Sequence, residues 1–263
     1  MTKALIFDCD GVLADTERDG HLVAFNQMWR ERGVNWQWTV DQYKEKLKIG
    51  GGKERIASLA RDADFRAAFQ VPDADGGWQT IVADWHQRKS AIFQELVMSG
   101  AVPGRAGVKR LTRDALDRGW TLAVCSTSAQ ASVQAVLDTV VGRDLAARFA
   151  GVFAGDIVKA KKPAPDIYNY AADRLGLAHG DCVVVEDSRN GLQAATAAGM
   201  ACLVTFNAIT QDEDFSEAAL VVSSLGDPGG EPATVVANRS QARPSGAITV
   251  EDLDAILASV PVR

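Results

Sequence analysis

Four short stretches of this 263-residue chain hold most of the side chains able to do chemistry. Asp8 and Asp10 stand two apart in Asp8-Cys9-Asp10-Gly11-Val12, Ser126, Thr127 and Ser128 form a hydroxyl run, Lys161-Lys162-Pro163 sets two cations before a proline, and Glu186-Asp187 adds two adjacent carboxylates. Carboxylates gathered without His or Cys ligands suit a hard cation, and Mg²⁺ favours one or two carboxylates completed by phosphate oxygen and water. Such a cation lets a carboxylate approach a phosphate. One aspartate can then attack phosphorus and form an aspartyl-phosphate, and a second, two residues on, can protonate the leaving oxygen and afterwards activate water. A lysine and a hydroxyl neutralise and orient the phosphoryl oxygens, because phosphoryl transfer depends mostly on positioning and charge stabilisation. Two aspartates at a strand end are by themselves usually a solvated pair; the conjunction with Lys162 and Glu186-Asp187 points to catalysis.

These residues need a frame that brings them together. Ala4-Leu5-Ile6-Phe7 is a short apolar run closed by a turn signal, as suits a buried parallel strand. Similar runs follow at 121–125, 182–185, 201–205 and 220–222, separated by Ala-rich helical segments at 128–140, 166–175 and 190–198. Strand alternating with helix predicts an α/β fold, a Rossmann-like doubly wound parallel sheet. In such sheets ligands bind outside the carboxyl ends of the strands, where the polar stretches fall. Asp166, after Pro163 and Pro165, is a candidate helix cap, as are Ser126 to Ser128. Residues 16–99 interrupt the alternation with helical patterning and Trp29, Trp36 and Trp38, which predicts an all-helical inserted domain; 1–15 and 100–263 form the core. Residues 226–248, rich in Gly, Pro and small polar residues, read as a loop or linker, and 250–260 as a short amphipathic helix.

Composition narrows the function. With 47% apolar and 24% charged residues the chain is globular. Its net charge of -6 has the wrong sign for gripping nucleic acid or an anionic membrane. No apolar run reaches the roughly 18 residues of a membrane span, and Asp8 and Asp10 fall where a signal peptide needs apolar residues. The expected location is cytoplasmic, or the plastid stroma if the chain is a processed mature form, and the expected state is a monomer. Cys9, Cys125, Cys182 and Cys202 show no zinc-binding spacing and are expected as reduced, buried thiols.

The insertion adds three features. Glu17 and His21 are four apart, on one helical face, where they serve a ligand or merely pair with each other. Gly50-Gly51-Gly52-Lys53-Glu54-Arg55 is a loop entering a helix with two cations, an unfavourable placement at a helix N-terminus unless an anion sits there. It does not match the P-loop pattern. His86 and Lys89 are one turn apart.

Asp8-Cys9-Asp10-Gly11-Val12, Ser126, Lys162-Pro163 and Glu186-Asp187 resemble, in order, the four motifs of the haloacid-dehalogenase-like phosphatase superfamily. That resemblance implies Asp8 as nucleophile, Asp10 as general acid/base, Ser126 and Lys162 as phosphate ligands, and a Mg²⁺ site at Asp8, Asp10, Glu186 and Asp187, with 16–99 as a helical cap. Thr16-Glu17, His21, the Gly-Gly-Lys-Glu-Arg stretch and His86-x-x-Lys89 resemble CbbY-type xylulose-1,5-bisphosphate phosphatases, which clear a misfire product of Rubisco in carbon-fixing cells. Lys48 to Arg55 and Asp212-Glu213-Asp214-Phe215 look especially like the plastid members. The resemblance implies a small phosphorylated sugar as ligand, contacted by Glu17, His21, Gly51, Gly52, Lys53, Arg55, Lys89 and Thr127. Two other readings stay open: a phosphomutase of the β-phosphoglucomutase type, and a receiver-like switch, which explains neither the Asp8-x-Asp10 spacing nor the insertion.

Overall fold

The structure is a computed structural model that describes residues 2–72 and 77–259. The chain divides into two compact units, one of Met1–Asp15 with Pro103–Arg263, the other of Thr16–Val102. The first is built on a sheet of β1 (Ala4–Phe7), β2 (Thr121–Ser126), β3 (Gly151–Ala154), β4 (Cys182–Glu186), β5 (Ala201–Thr205), β6 (Leu220–Val222) and β7 (Val235–Asn238). The spatial order is β3-β2-β1-β4-β5-β6-β7, parallel except for β7. The chain steps outward from β1 through β2 to β3 and then returns to lay β4 against the other side of β1, so the order reverses at β1/β4. This is the crevice in which doubly wound sheets bind ligands.

All four residues of β1 are fully buried. Side chains alternate between faces along a strand, so this burial requires cover on both sides. Ala4 and Ile6 pack with the helices Asp166–Leu175 and Arg189–Ala197 through Ile167, Tyr168, Leu192 and Ala195. The alternation turns Leu5 and Phe7 to the opposite face. All four cysteines are buried.

Two strands, one helix start and the expected caps differ from the sequence reading. β3 is four residues opening on Gly151, too short and too mixed to stand out. The segment 226–248, read as a loop, contains β7, the single antiparallel strand, whose Val235 and Val236 are exposed. An exposed edge strand carries no buried-face pattern to read. Asp166 begins its helix and sits in the first turn, with Pro165 preceding it, instead of capping. The helix expected from Ser128 starts at Gln130 after Ala129, so the hydroxyl run does not cap it. The last helix is Val250–Ser259, and Val260 lies outside the described residues.

In the second unit, the helix Gly77–Met98 buries Trp78, Val82, Trp85, Lys89, Ile92, Phe93 and Val97, a stripe at helical spacing with one lysine in it. Phe25, Trp29, Trp38 and Tyr43 form one aromatic cluster, and Phe65, Phe69, Trp78 and Trp85 another. The tryptophans thus serve packing. Among the described residues of the chain, no helix is long and apolar enough to cross a membrane.

Arg105 stitches the carboxyl edge of the sheet. Its guanidinium donates to the carbonyls of Gly11, Thr205 (2.7 Å), Phe206 (2.6 Å) and Ser223 (2.7 Å), joining the loop after β1 to the segments after β5 and β6. No other side chain has the donors in this geometry. Arg105→Ala leaves these carbonyls without their charged donor and is expected to cost roughly 3–5 kcal/mol, with Arg105→Lys recovering only part. Urea unfolding of the three proteins checks this; equal midpoints would show that the stitch carries no stability.

Candidate active site

The register of the sheet assembles the site. Phe7 pairs with Val124 on one side and Val185 on the other, so the next residues along, Asp8, Cys125 and Glu186, stand side by side. Asp8 N–H donates to the Val185 carbonyl at 2.9 Å. Lys162 reaches this edge from the loop before the helix Asp166–Leu175. Its ammonium donates to Asp8 Oδ1 at 2.6 Å, Glu186 Oε1 at 2.6 Å and the Cys125 carbonyl at 3.0 Å. Asp8, Lys162, Glu186 and Asp187 are 7, 8, 1 and 5% exposed.

Buried charge shapes the cluster. Burial raises the Asp8 carboxyl well above the usual carboxylate range; Lys162 pulls it back, while Glu186 and Asp10 push it further up. Burial works against the charge on Lys162, yet Asp8 and Glu186 outweigh it and hold the ammonium above its ordinary value. Asp8, Glu186 and Asp187 each offer an oxygen within 4.8 Å of the others. Three buried carboxylates against one ammonium leave negative charge in excess, and an all-oxygen donor set suits a hard cation. The residues therefore fit a divalent metal.

Asp10, half-buried, accepts from the Ser128 hydroxyl at 2.5 Å. Ser126, buried at the end of β2, accepts from Ser128 N–H at 3.1 Å, and Thr127 lies between them, half-buried. Backbone clearance is needed too. Gly11 has φ +75°, and a Cβ there would lie 2.0 Å from an Asp187 oxygen; at Gly191 it would lie 1.9 Å from the Glu186 carboxyl carbon. Glycine at both positions lets the chain pass over the carboxylates.

The candidate residues of the insertion form two pairs within the second unit. Glu17 accepts from the Tyr43 hydroxyl at 2.6 Å, and Arg55 donates to Tyr43 Oη at 3.0 Å and the Ile49 carbonyl at 3.0 Å, with 3.8 Å to Glu17. Lys89 and His21 Nδ1 are 2.7 Å apart, both buried. An ammonium only donates, so Nδ1 accepts and Nε2 keeps the proton. Lys89 also lies 4.6 Å from the Phe25 ring centre and 5.3 Å from that of Phe93. Residues Glu17–Leu22 form a π-helical turn, a distortion frequent at functional sites. Gly51, at φ +98°, precedes the helix Gly52–Ser58; a Cβ on Gly52 would lie 3.0 Å from the His86 ring. Lys53 is half-buried.

Three residues beside these sites escaped the sequence reading. Tyr168, fully buried, donates its hydroxyl to Glu186 Oε1, and Lys162 sits 4.9 Å from its ring centre. Its signal was a tyrosine in a buried helical stripe, whose hydroxyl must find a partner. Tyr43 bridges Glu17 and Arg55 and carried no such signal. Asn207 donates to Asp187 Oδ2 at 2.8 Å; it stands two residues beyond β5, at the same edge of the sheet that supplies the acidic residues.

Comparison with known proteins agrees with this geometry. A haloacid dehalogenase-like hydrolase family model matches residues 2–199. A CBBY-like protein of Arabidopsis thaliana is 45% identical over 228 residues, 87% of this chain and 70% of that one. Protein CbbY of Cupriavidus necator is 41% identical over 86% of this chain and 87% of its own. Among solved structures, CbbY from Rhodobacter sphaeroides in complex with phosphate is 37% identical with a TM-score of 0.76, covering 85% of this chain and 95% of that one. A mutant form in complex with xylulose-(1,5)bisphosphate is 36% identical with a TM-score of 0.75 over the same shares. The chain belongs to the haloacid dehalogenase-like hydrolase family, in its CbbY branch, and is a phosphatase of that family.

Proposed function

We propose that the chain is a Mg²⁺-dependent sugar bisphosphate phosphatase that converts xylulose-1,5-bisphosphate to xylulose 5-phosphate through an aspartyl-phosphate. The observation that carries this reading is the Lys162 ammonium held between Asp8 and Glu186 at 2.6 Å each, beside Asp187, at the carboxyl end of β1. The bisphosphate complex of the 36%-identical relative supports the choice of substrate.

Each step then falls to a named residue. Asp8 attacks phosphorus and the bond to the leaving oxygen breaks, with Asp10 giving that oxygen its proton. Asp10, now a carboxylate, takes a proton from water, whose oxygen attacks the phosphoryl group and frees Asp8 and inorganic phosphate. Lys162 and Ser126 hold the phosphoryl oxygens in line, with Thr127 beside them. Asp8, Glu186 and Asp187, with Asp10, would hold the cation, which when bound offsets the charge between phosphate and carboxylates. Ser128, donating to Asp10, keeps that carboxylate aimed. In the insertion, Gly51, Gly52, Lys53, Arg55 and Lys89 are assigned to the second phosphate, and Glu17 and His21 to the hydroxyls and carbonyl between the two.

Asp8→Asn keeps the shape but cannot attack phosphorus, so phosphate release is expected to vanish in a protein that melts like the wild type. Turnover by the folded variant would remove Asp8 from the nucleophile role. Stripping with EDTA is expected to stop the reaction and Mg²⁺ to restore it; undiminished activity in metal-free enzyme would contradict the cation reading. kcat/KM for bisphosphates is expected to exceed that for the matching monophosphates. Arg55→Ala, checked by its melting curve, is expected to reduce that preference by roughly 10- to 100-fold, the value of a charge-assisted contact. Preference unchanged in the variant would exclude Arg55 from the second subsite. Conversion of glucose 1-phosphate to glucose 6-phosphate without phosphate release would instead make the enzyme a mutase.

A further inference from the structure

Asp187 lies in a cluster that repels it. Its neighbours Asp8 and Glu186 are carboxylates within 4.8 Å, and all three are buried. Repulsion from its neighbours drives a carboxylate so placed towards solvent unless something holds it. The Gly11 backbone leaves it room.

Asn207 has the geometry of a holder. Its Oδ1 accepts from Ile209 N–H at 2.8 Å and Thr210 N–H at 3.2 Å. Its own N–H donates to the Thr210 hydroxyl at 3.1 Å, and its carbonyl accepts from Gln211 N–H at 2.9 Å. Backbone N–H groups only donate, so the end of the amide that meets them is the oxygen. The NH₂ end is thereby turned towards Asp187, and it donates to Oδ2 at 2.8 Å. The turn is anchored one and two residues upstream, where Arg105 grips the carbonyls of Phe206 and Thr205. The amide is consequently fixed on both sides before it touches the carboxylate.

Residue type matters here. A lysine or arginine at 207 would hold Asp187 more strongly, but it would bring a second permanent cation to the cluster and compete with a metal for its charge. An aspartate would keep the turn and lose the donor. A neutral amide restrains one oxygen and leaves the negative charge of the carboxylate in place. We propose that Asn207 is a positioning residue that fixes Asp187 for cation binding, acting through that carboxylate without touching substrate. This rests on the reading of Asp8, Glu186 and Asp187 as the metal site.

The test is Mg²⁺ binding by calorimetry in the absence of substrate, on wild type, Asn207→Ala and Asn207→Ser, with melting curves for all three. Serine keeps an acceptor for the Thr210 N–H and so preserves a turn, yet is too short to reach Asp187; it supplies the folded comparison if alanine unfolds. Loss of a group that orients a metal ligand commonly weakens metal affinity about 10- to 100-fold, and that is the rise in Kd expected for both variants. A second readout separates positioning from plain structure: at saturating Mg²⁺ the kcat of Asn207→Ser is expected to return to near the wild-type value, whereas its activity at limiting Mg²⁺ falls. An unchanged Kd in the folded serine variant would overturn the role of Asn207. Absence of Mg²⁺ binding by the wild type would overturn the metal reading itself, a distinct outcome.

Discussion

Two buried carboxylates, Asp8 and Glu186, share one buried ammonium at the carboxyl end of β1, with a third, Asp187, beside them, and much of the surrounding architecture holds that arrangement. Removing charged groups from water costs several kcal/mol each unless they are paired and hydrogen-bonded. A cluster with surplus negative charge does not assemble through its own attractions. It has to be imposed by the backbone, and the parallel sheet does so: β1 fixes Asp8, β4 fixes Glu186 and Asp187, and the register that aligns Phe7 with Val185 leaves their side chains no choice of neighbour. The strain goes into an elevated Asp8 carboxyl and a strongly held Lys162. In the proposed function that repulsion would become affinity for a metal and for the phosphate that comes with it.

Imposing the cluster requires restraint from groups that do not cancel its charge. Neutral donors take this part. Tyr168 holds Glu186, Ser128 holds Asp10 and Asn207 holds Asp187, each through one hydrogen bond. Glycine clears the space at Gly11 and Gly191, where any side chain would collide with the carboxylates. Arg105 stands close behind the loop, hydrogen-bonded to backbone carbonyls of three segments and 3.5 Å from Asp15. It ties the frame together with its stated contacts away from Asp8, Glu186 and Asp187.

The sequence made the frame legible because its information is local. Ala4 to Phe7 had to be a doubly covered strand, and the acidic and hydroxyl residues fell one or two positions beyond such runs, where an α/β sheet places its ligands. Asp8, Lys162, Glu186 and Asp187 are therefore legible as a group in the sequence. What was missed is what needs three dimensions. β7 is exposed and pairs with β6 only through tertiary context, and β3 is four residues long. Ser128 looked like a helix cap because hydroxyls favour that position, but its partner is Asp10, 118 residues away in sequence. Tyr43 lies 26 residues from Glu17. No spacing rule connects such pairs.

The second unit handles charge in the opposite way. Its buried charged side chains, among the described residues, include Arg55 and Lys89, cations set among aromatic rings and matched with Tyr43, Glu17 and His21. Lys89 is the instructive member. It occupies a position in the stripe of Gly77–Met98 that periodicity assigns to an apolar side chain, between Trp85 and Ile92. A lysine there loses hydration, and its contacts include an imidazole nitrogen and two ring faces, which attract a cation. Burying a cation is costly, which makes such a residue a candidate for contact with a ligand of opposite sign. In the proposed function this lysine, with Arg55, would meet a phosphate of the substrate.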